Sequence, residues 1–244
     1  MKTIEKSYSF VFRNFLRAVN PLKKKIIKTE CEVHRFINSQ ALEIIKNDKH
    51  IEEYAFFKEY SFFIDEGSVW VDQDFKSSNH FYNPITQKGL YGNSNALKEA
   101  ILYYTKAINL YIKGNIRKSM FYLGAVNHLV QDMAVPQHVN VKLLDNHRKY
   151  EVWVIDNYKS YNEFKAESEG IYLDSIKEFI VSNSRSAIKT YSKFENVEST
   201  HDRFYNITKE QLILAQKTTA GIMVKFYSDV SNIKKGMIAR NLLC

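Results

Sequence analysis

The chain has 244 residues, a hydrophobic fraction of 45% and a charged fraction of 25%, values typical of one globular domain. It contains only 8 glycines and 3 prolines, which disfavours an all-β sandwich and favours helices. Two cysteines, Cys31 and Cys244, exclude a disulfide framework, and no apolar run approaches the ~18 residues that a membrane span needs.

The formal net charge of +8 is concentrated near the start of the chain. Residues 1–28 contain eight lysines and arginines against one glutamate, interleaved with aromatic and aliphatic side chains. We interpret this segment as a basic N-terminal arm, either a helix on an anionic membrane surface or a solvated helix packed on its own domain. Glu5, Arg13 and Arg17 interrupt any signal-peptide core, so we expect no standard secretory signal and a cytoplasmic location.

From residue 29 to residue 244 the pattern predicts a single helical domain. Thr29 and Glu32 form a capping box for the first helix, and Thr208 with Gln211 caps the last. A polar loop over 65–95, which contains Gly67, is the longest irregular segment. The other predicted helices cover about 51–64, 97–111, 116–134, 147–158, 173–191 and 208–227. Gly114-Asn115 ends the helix over 97–111 and opens a tight helical hairpin. The sequence therefore predicts an all-α fold of about seven or eight helices.

Two histidine and carboxylate pairs lie at helical spacing. His128 with Asp132 and His147 with Glu151 are each four residues apart, which places both groups on one helix face. Such a pair is usually an exposed ion pair, but the helix of His128 has little polar surface. Buried charges need a strong partner, and nitrogen with carboxylate oxygen is the ligand set expected for zinc. His34, on an apolar helix face, is by itself more typical of a hydrogen-bonded core histidine.

Four further segments, in chain order, read HFYNP from His80, FYLG from Phe121, HLVQDMAVPQH from His128 and HRKYE from His147. This order and spacing resembles the zinc-dependent phospholipase C family of bacteria. The stretch AQKTTAG from Ala215 is similar to the last helix of that family. The resemblance covers about residues 30–230 and implies an all-helical domain with a trinuclear zinc site at one end.

The resemblance also implies the ligands of each zinc ion. One ion takes Asp65, His80, His128 and Asp132; a second takes His138, His147 and Glu151; a third takes His34, with Asp132 as a bridge. Asp72 and Asp74 are alternatives to Asp65, because the interval from Asp65 to His80 is a residue longer than usual. In the family, water activated by the metal attacks phosphorus, and Asp65 is the expected general base.

The chain departs from the family at two places. The third zinc ion of the family is completed by an N-terminal tryptophan, but the only tryptophans here are Trp70 and Trp153. We therefore expect three zinc ions, or two if nothing completes that site; Cys31 is either a substitute ligand or an ordinary buried cysteine. The residues expected to form the substrate pocket are Glu66, Phe75 and Tyr82, where Glu66 replaces an aromatic residue of choline-preferring members.

The leading functional hypothesis is a zinc-dependent phosphodiesterase acting on a phospholipid headgroup or a similar small diester. The basic arm, residues 1–28, would help it to meet an anionic membrane surface, and no nucleic-acid partner is expected. Three alternatives remain open at this point: a single-strand nuclease or 3′-nucleotidase, a pathway enzyme using the same zinc cluster on another bond, and a metal-binding member without catalytic activity.

Overall fold

The computed structural model describes residues 31–73, 79–90, 94–140 and 147–241. These residues contain eight α-helices and no strand, which confirms the predicted all-α class. The basic arm and its boundary at residue 28 lie outside the described part of the chain. The helices are α1 (31–47), α2 (Ile51–Val71), α3 (Ala96–Ile112), α4 (Ile116–Asp132), α5 (Pro136–Val139), α6 (His147–Asn157), α7 (Ile176–Phe194) and α8 (Thr200–Asn241).

Helix α2 ends at Val71 and not near Ile64, so the predicted loop begins too early. Gly67 lies in the predicted loop, but in the structure it belongs to α2 and contacts α4. A Cβ atom on Gly67 would lie 1.7 Å from the carbonyl oxygen of Phe121 in α4, and one on Gly124 would lie 1.9 Å from that of Ile64. The two glycines let the backbones of α2 and α4 approach closely.

The predicted hairpin between α3 and α4 is confirmed. Gly114 has a φ of 77°, the left-handed conformation that glycine adopts readily after a helix. The side chain of Asn115 then accepts a hydrogen bond from the backbone N–H of Lys118 and caps α4.

Helix α4 lies at the centre of the fold, where it packs against α2, α3, α7 and α8. Every residue from Tyr122 to Asp132 is buried. Helix α1 contributes Ile37, Ala41, Ile44 and Ile45 to the interior, as its periodicity predicts. Because the last turns of α4 have no solvent-facing side, any polar side chain there needs a partner inside the protein.

The start of α8 differs from the prediction. The helix begins at Thr200, and Ser199 Oγ accepts a hydrogen bond from the N–H of Asp202 at 3.2 Å. Thr208 lies in the helix interior, where its hydroxyl donates to the hydroxyl of Tyr150, so its assignment as the cap was wrong. None of the helices in the described ranges is both long and apolar enough to cross a bilayer.

Candidate metal centre

The carboxylate of Asp132, the last residue of α4, lies among four imidazoles. His80 Nδ1 is 2.8 Å from Asp132 Oδ2, and His128 Nε2, one turn earlier in α4, is 3.2 Å from the same oxygen. His138 Nδ1 lies 3.6 Å from Oδ2, and His34 Nε2 lies 3.7 Å from Oδ1. Residues distant in sequence therefore converge on one buried carboxylate.

Short connections place these histidines. After α4 ends, Pro136 opens the four-residue helix α5, which turns His138 back toward Asp132. The backbone N–H of Tyr82 donates to the carbonyl oxygen of His138 at 3.3 Å, which ties the segment containing His80 to α5. The segment before α3 and the helix after α4 thus reach the same end of the fold.

The second predicted pair extends this cluster. His147 Nε2 lies 2.7 Å from Glu151 Oε1 on the adjacent turn of α6, as the four-residue spacing predicts. His138 Nε2 lies 3.6 Å from the same glutamate oxygen. His138 therefore lies between Asp132 and Glu151 and contacts both carboxylates through different ring nitrogens.

The described residues form three groups whose ligand atoms lie within 4.8 Å of one another. The groups are His34, His128 and Asp132; Asp72, His80 and His128; and His138, His147 and Glu151. Seven of the eight metal ligands predicted from the sequence are among these residues. Metal binding by these residues is a prediction.

Four buried polar atoms in this cluster have no hydrogen bond. They are Nδ1 of His128, Oδ2 of Asp132, Nδ1 of His138 and Nε2 of His147. Asp132 Oδ2 lies close to His80 Nδ1, and His147 Nε2 lies close to Glu151 Oε1, but neither pair is aligned as a hydrogen bond requires. Leaving such groups unsatisfied costs about 1–3 kcal/mol each. Because nitrogen and carboxylate oxygen are ligands of zinc, the donor set fits a bound metal ion.

Two carboxylates of the cluster, those of Asp132 and Glu151, are ionised near neutral pH. Burial acts to raise the pKa of Asp132, but the His128 and His138 rings outweigh it and hold that pKa well below its usual value. Burial likewise opposes ionisation of Glu151, yet the adjacent His138 and His147 rings lower its pKa to about 2. Two negative charges therefore lie among the histidines, an arrangement that favours a cation.

His34 and His138 have pKa values shifted in opposite directions. Burial and the neighbouring His128 ring lower the pKa of His34 to about 4, so His34 is neutral at pH 7. Burial also acts to lower the pKa of His138, but Asp132 and Glu151 outweigh it and raise that pKa to about 9. In the metal-free chain, His138 therefore carries a positive charge where a metal ion would compete for its nitrogen.

Asp65, predicted to be a ligand and the general base, lies in none of the three groups. It sits within α2, and its Oδ1 accepts a hydrogen bond from Asn38 Nδ2 at 3.0 Å. Burial raises the pKa of Asp65. Asp72, the residue after α2, takes the expected position, with Oδ1 4.0 Å from both His80 Nδ1 and His128 Nε2. Asp65 lies within the helix because α2 continues past it to Val71, whereas Asp72 lies just after the helix end, beside the histidines.

Of the other predicted site residues, those that the structure describes belong to none of the three groups. Glu66 is on the surface and pairs with Arg35 at 3.3 Å. Tyr82 is buried, and Phe75 and the alternative ligand Asp74 lie outside the described residues. Cys31 is buried, and its Sγ lies 3.8 Å from Asp72 Oδ2.

An apolar cavity of about 90 Å³ adjoins the cluster. His34, Asp132 and Glu151 form part of its wall. The rest is mainly aliphatic and comes from α1, α6 and α8, with Val33, Ile37, Val154, Leu212 and Ala215. Sequence reasoning missed these residues because they are ordinary core positions of three separate helices, and only their packing makes them a wall.

A family model described as zinc-dependent phospholipase C matches residues 33–215, which include every residue of the three groups. The chain belongs to the zinc-dependent phospholipase C family. Phospholipase C of Clostridium novyi is 25% identical over 234 residues, covering 81% of this chain and 59% of that protein. Phospholipase C of Clostridium perfringens is 24% identical over 245 residues, covering 86% and 62% respectively.

Solved structures of family toxins share the fold. The alpha toxin of Clostridium absonum superposes with a TM-score of 0.72 at 22% identity, covering 82% of this chain and 64% of the toxin. The alpha-toxin of Clostridium perfringens gives a TM-score of 0.70 at 23% identity. The chain spans only about three fifths of the length of these curated relatives, with 59% of the first and 62% of the second.

Proposed function

We propose that this chain is a zinc-dependent phosphodiesterase that cleaves a phospholipid headgroup or a similar small phosphodiester. The observation that carries the proposal is the buried Asp132 carboxylate in contact with four histidines. The family to which the chain belongs supports the choice of zinc. Membership in this family also favours cleavage of a phosphodiester over the activity of a 3′-nucleotidase.

The three groups would hold up to three zinc ions. We propose that Asp72, His80, His128 and Asp132 hold the first, and that His138, His147 and Glu151 hold the second. His34 and Asp132 would hold the third, which has the fewest protein ligands among the described residues. Cys31 is directed to Asp72 by its 3.8 Å contact, so we do not assign it to the third ion.

When bound, zinc lowers the pKa of a water molecule and offsets negative charge on a phosphate ester during hydrolysis. The protein residues fix the ring orientations and supply the anionic oxygens. The carboxylate of Asp72 lies 4.0 Å from His80 and from His128, so it is less crowded than that of Asp132. We propose that Asp72, in place of Asp65, accepts a proton as general base.

The apolar cavity supports a substrate with a hydrophobic part. Its aliphatic wall begins beside Asp132 and Glu151, so a phosphodiester at the metal centre would extend an attached carbon chain along Val154 and Leu212. A phosphate ester with a lipid or similar apolar portion suits this combination better than a fully polar substrate.

The test combines metal analysis with activity. We expect about three zinc ions per chain in full-length protein, or two if the His34 site is not filled, together with hydrolysis of phospholipid vesicles and of a soluble chromogenic phosphodiester. His128→Ala should lose zinc and lower kcat/KM about a thousandfold, since metal ions contribute several kcal/mol to such reactions. His201→Ala removes an exposed histidine outside the three groups and should retain both properties.

Two outcomes would contradict the proposal. Release of phosphate from 3′-AMP without cleavage of either diester would favour a nucleotidase. A protein that binds no zinc and hydrolyses none of these substrates would favour a member without catalytic activity.

We also propose that residues 1–28 contact an anionic membrane surface and that the protein is cytoplasmic. The support is the excess of basic residues in that segment, including Lys23, Lys24 and Lys25. Replacing these three lysines with glutamine should lower activity on anionic vesicles and spare the soluble diester. Equal loss on both substrates would remove the proposed membrane role.

A further inference from the structure

A chain of buried polar side chains connects Asp65 in α2 to His34 at the metal centre. Asn38 Nδ2 donates to Asp65 Oδ1 at 3.0 Å, and Gln131 Nε2 donates to Asn38 Oδ1 at 3.0 Å. At the far end, His34 Nδ1 lies 2.7 Å from Gln131 Oε1. Asn38 and Gln131 are 4% and 2% exposed, so water cannot substitute for these bonds.

The orientation of Asn38 is fixed by two acceptors. The Ser68 hydroxyl donates to the carbonyl oxygen of Gly124 at 2.9 Å, so its oxygen accepts from Asn38, and Asp65 Oδ1 accepts from the same amide nitrogen. The amide nitrogen of Asn38 must therefore face Asp65 and Ser68. Its oxygen then faces Gln131 and accepts from Nε2.

Gln131 is oriented by the same reasoning. The Thr219 hydroxyl donates to the carbonyl oxygen of Ala215 at 2.7 Å, so its oxygen accepts from Gln131 Nε2 at 3.1 Å. With its amide nitrogen bonded to Asn38 and Thr219, Gln131 turns its carbonyl oxygen to His34. A carbonyl oxygen only accepts, so Nδ1 of His34 must carry a proton.

We propose that Gln131 is a positioning residue that holds His34 in the Nδ1–H tautomer and thereby leaves Nε2 available to a metal ion. His34 Nε2 is the nitrogen that faces Asp132 Oδ1, at 3.7 Å. The role toward metal rests on the proposed function, whereas the tautomer follows from the hydrogen bonds alone. On this account Asp65 acts on the centre indirectly, through Asn38 and Gln131.

His80 offers an internal comparison. Its Nε2 lies 3.1 Å from the backbone carbonyl oxygen of Val71, which leaves Nδ1 directed to Asp132. A helix holds that carbonyl in place without further support. The amide of Gln131 can rotate by half a turn and exchange its oxygen and nitrogen, so His34 depends on the polar side chains behind Gln131.

The tautomer of His34 can be measured directly in metal-free protein. Long-range ¹H–¹⁵N NMR of ¹⁵N-histidine-labelled protein distinguishes a protonated ring nitrogen from an unprotonated one, and a His34→Gln variant assigns the signals. We expect Nδ1–H in the wild type and a loss of this preference in Gln131→Met, which keeps side-chain length but removes the acceptor.

Zinc affinity provides the second readout, measured by competition with a chelator. Loss of an outer hydrogen bond to a metal-ligating histidine typically weakens binding about 10- to 100-fold, so Gln131→Met should weaken the loosest-bound zinc ion by that factor. Gln216→Met is the matched control. Gln216 is equally buried but bonds to the backbone of Phe164 and Ala166, so its loss should leave the His34 tautomer and zinc affinity unchanged.

Several results separate the possibilities. If His34 is protonated on Nε2 in the wild type, or keeps Nδ1–H in a folded Gln131→Met protein, the inference is wrong even where zinc binds and lipid is cleaved. If Gln131→Met does not fold, Thr219→Val removes one acceptor of the Gln131 amide with little change in volume and should partly reduce the tautomer preference; an unchanged preference overturns the inference. A wild type that binds no zinc contradicts the proposed function, while the NMR result still decides the tautomer.

Discussion

The middle of α4 and its C-terminal end are built on different principles. In the middle, Gly124 lies against the backbone of α2 at Ile64, and this close contact between the two helices depends on the absence of a side chain at position 124. At the end, His128 and Asp132 are equally buried but carry polar atoms without hydrogen bonds. The middle of the helix is satisfied by contacts within the protein, whereas we propose that a metal ion completes its C-terminal end. Changes in the two parts should therefore have separable effects on stability and on metal binding.

The largest effect on stability is expected at the close contact. Gly124→Ala places a Cβ atom 1.9 Å from a backbone oxygen that cannot move without shifting α2, so we expect a loss of about 3 kcal/mol in the free energy of unfolding. Gly236→Ala is the matched control. Its Cβ would meet nothing within 4 Å in α8, so alanine should be neutral or stabilise by about 0.5–1 kcal/mol. Urea denaturation measures both; equal stability of the two variants would contradict the role of the contact.

The next effect belongs to the other end of α4. Zinc that binds only the folded chain should stabilise it by about 2.7 kcal/mol per site at a free concentration 100 times Kd. Most of the rise in Tm should be lost in His128→Ala, whose ring belongs to two of the three groups, while the group of His138, His147 and Glu151 keeps its ligands. The full rise should persist in a folded Gly124→Ala protein, although that variant starts from a lower Tm. A zinc-induced rise as large in His128→Ala as in the wild type would show that the stabilising site is elsewhere.

Much of this architecture could be predicted from the sequence, because the signals are local. The hydrophobic period gives the helices, Gly114-Asn115 gives the hairpin, and the four-residue spacings give the His128/Asp132 and His147/Glu151 pairs. Family resemblance added the order in which these pairs combine with His34, His80 and His138. The convergence of these residues on one end of the fold agrees with that expectation.

The errors arose where a distant contact decides the local structure. Gly67 has the sequence signature of a helix breaker, but α2 continues through it because α4 needs that space. This extension carries Asp65 onto the helix, where it meets Asn38, and brings Asp72 to the histidines. Thr208 has the signature of a cap, but its hydroxyl bonds to Tyr150, which is 58 residues away. A local sequence pattern does not predict contacts between residues that are far apart in the chain.

Asp72 and Asp65 provide a smaller test of the same comparison. Asp72→Asn should weaken zinc binding by about 10- to 100-fold because it removes a charge next to His80 and His128. Asp65→Asn keeps an oxygen that can accept from Asn38 and should change zinc affinity by no more than about threefold. Chelator competition measures both. A larger loss in Asp65→Asn than in Asp72→Asn would return Asp65 to the ligand set.

The smallest effect is expected at a carboxylate remote from the three groups. Asp48, just after α1, accepts hydrogen bonds from the N–H groups of Glu169 and Gly170 and from the Tyr172 hydroxyl, at 2.8, 2.7 and 2.6 Å. Burial acts to raise the pKa of Asp48, but these donors outweigh it and lower that pKa below 3.8. The bonds fasten the end of α1 to the segment before α7 and involve no residue of the metal centre.

Because folding lowers the pKa of Asp48, its contribution is present above pH 3.8 and is lost as the pH falls through the lower, folded value. Asp48→Asn can no longer accept from all three donors and should destabilise the protein by about 1 kcal/mol at pH 7. The difference from the wild type should shrink as the pH falls below 3.8, while zinc affinity at pH 7 stays the same. Asp174→Asn, an exposed aspartate in the same segment, is the control for a change of charge alone. A stability difference that stays constant down to pH 3 would show that Asp48 acts through its shape and not through its ionised carboxylate.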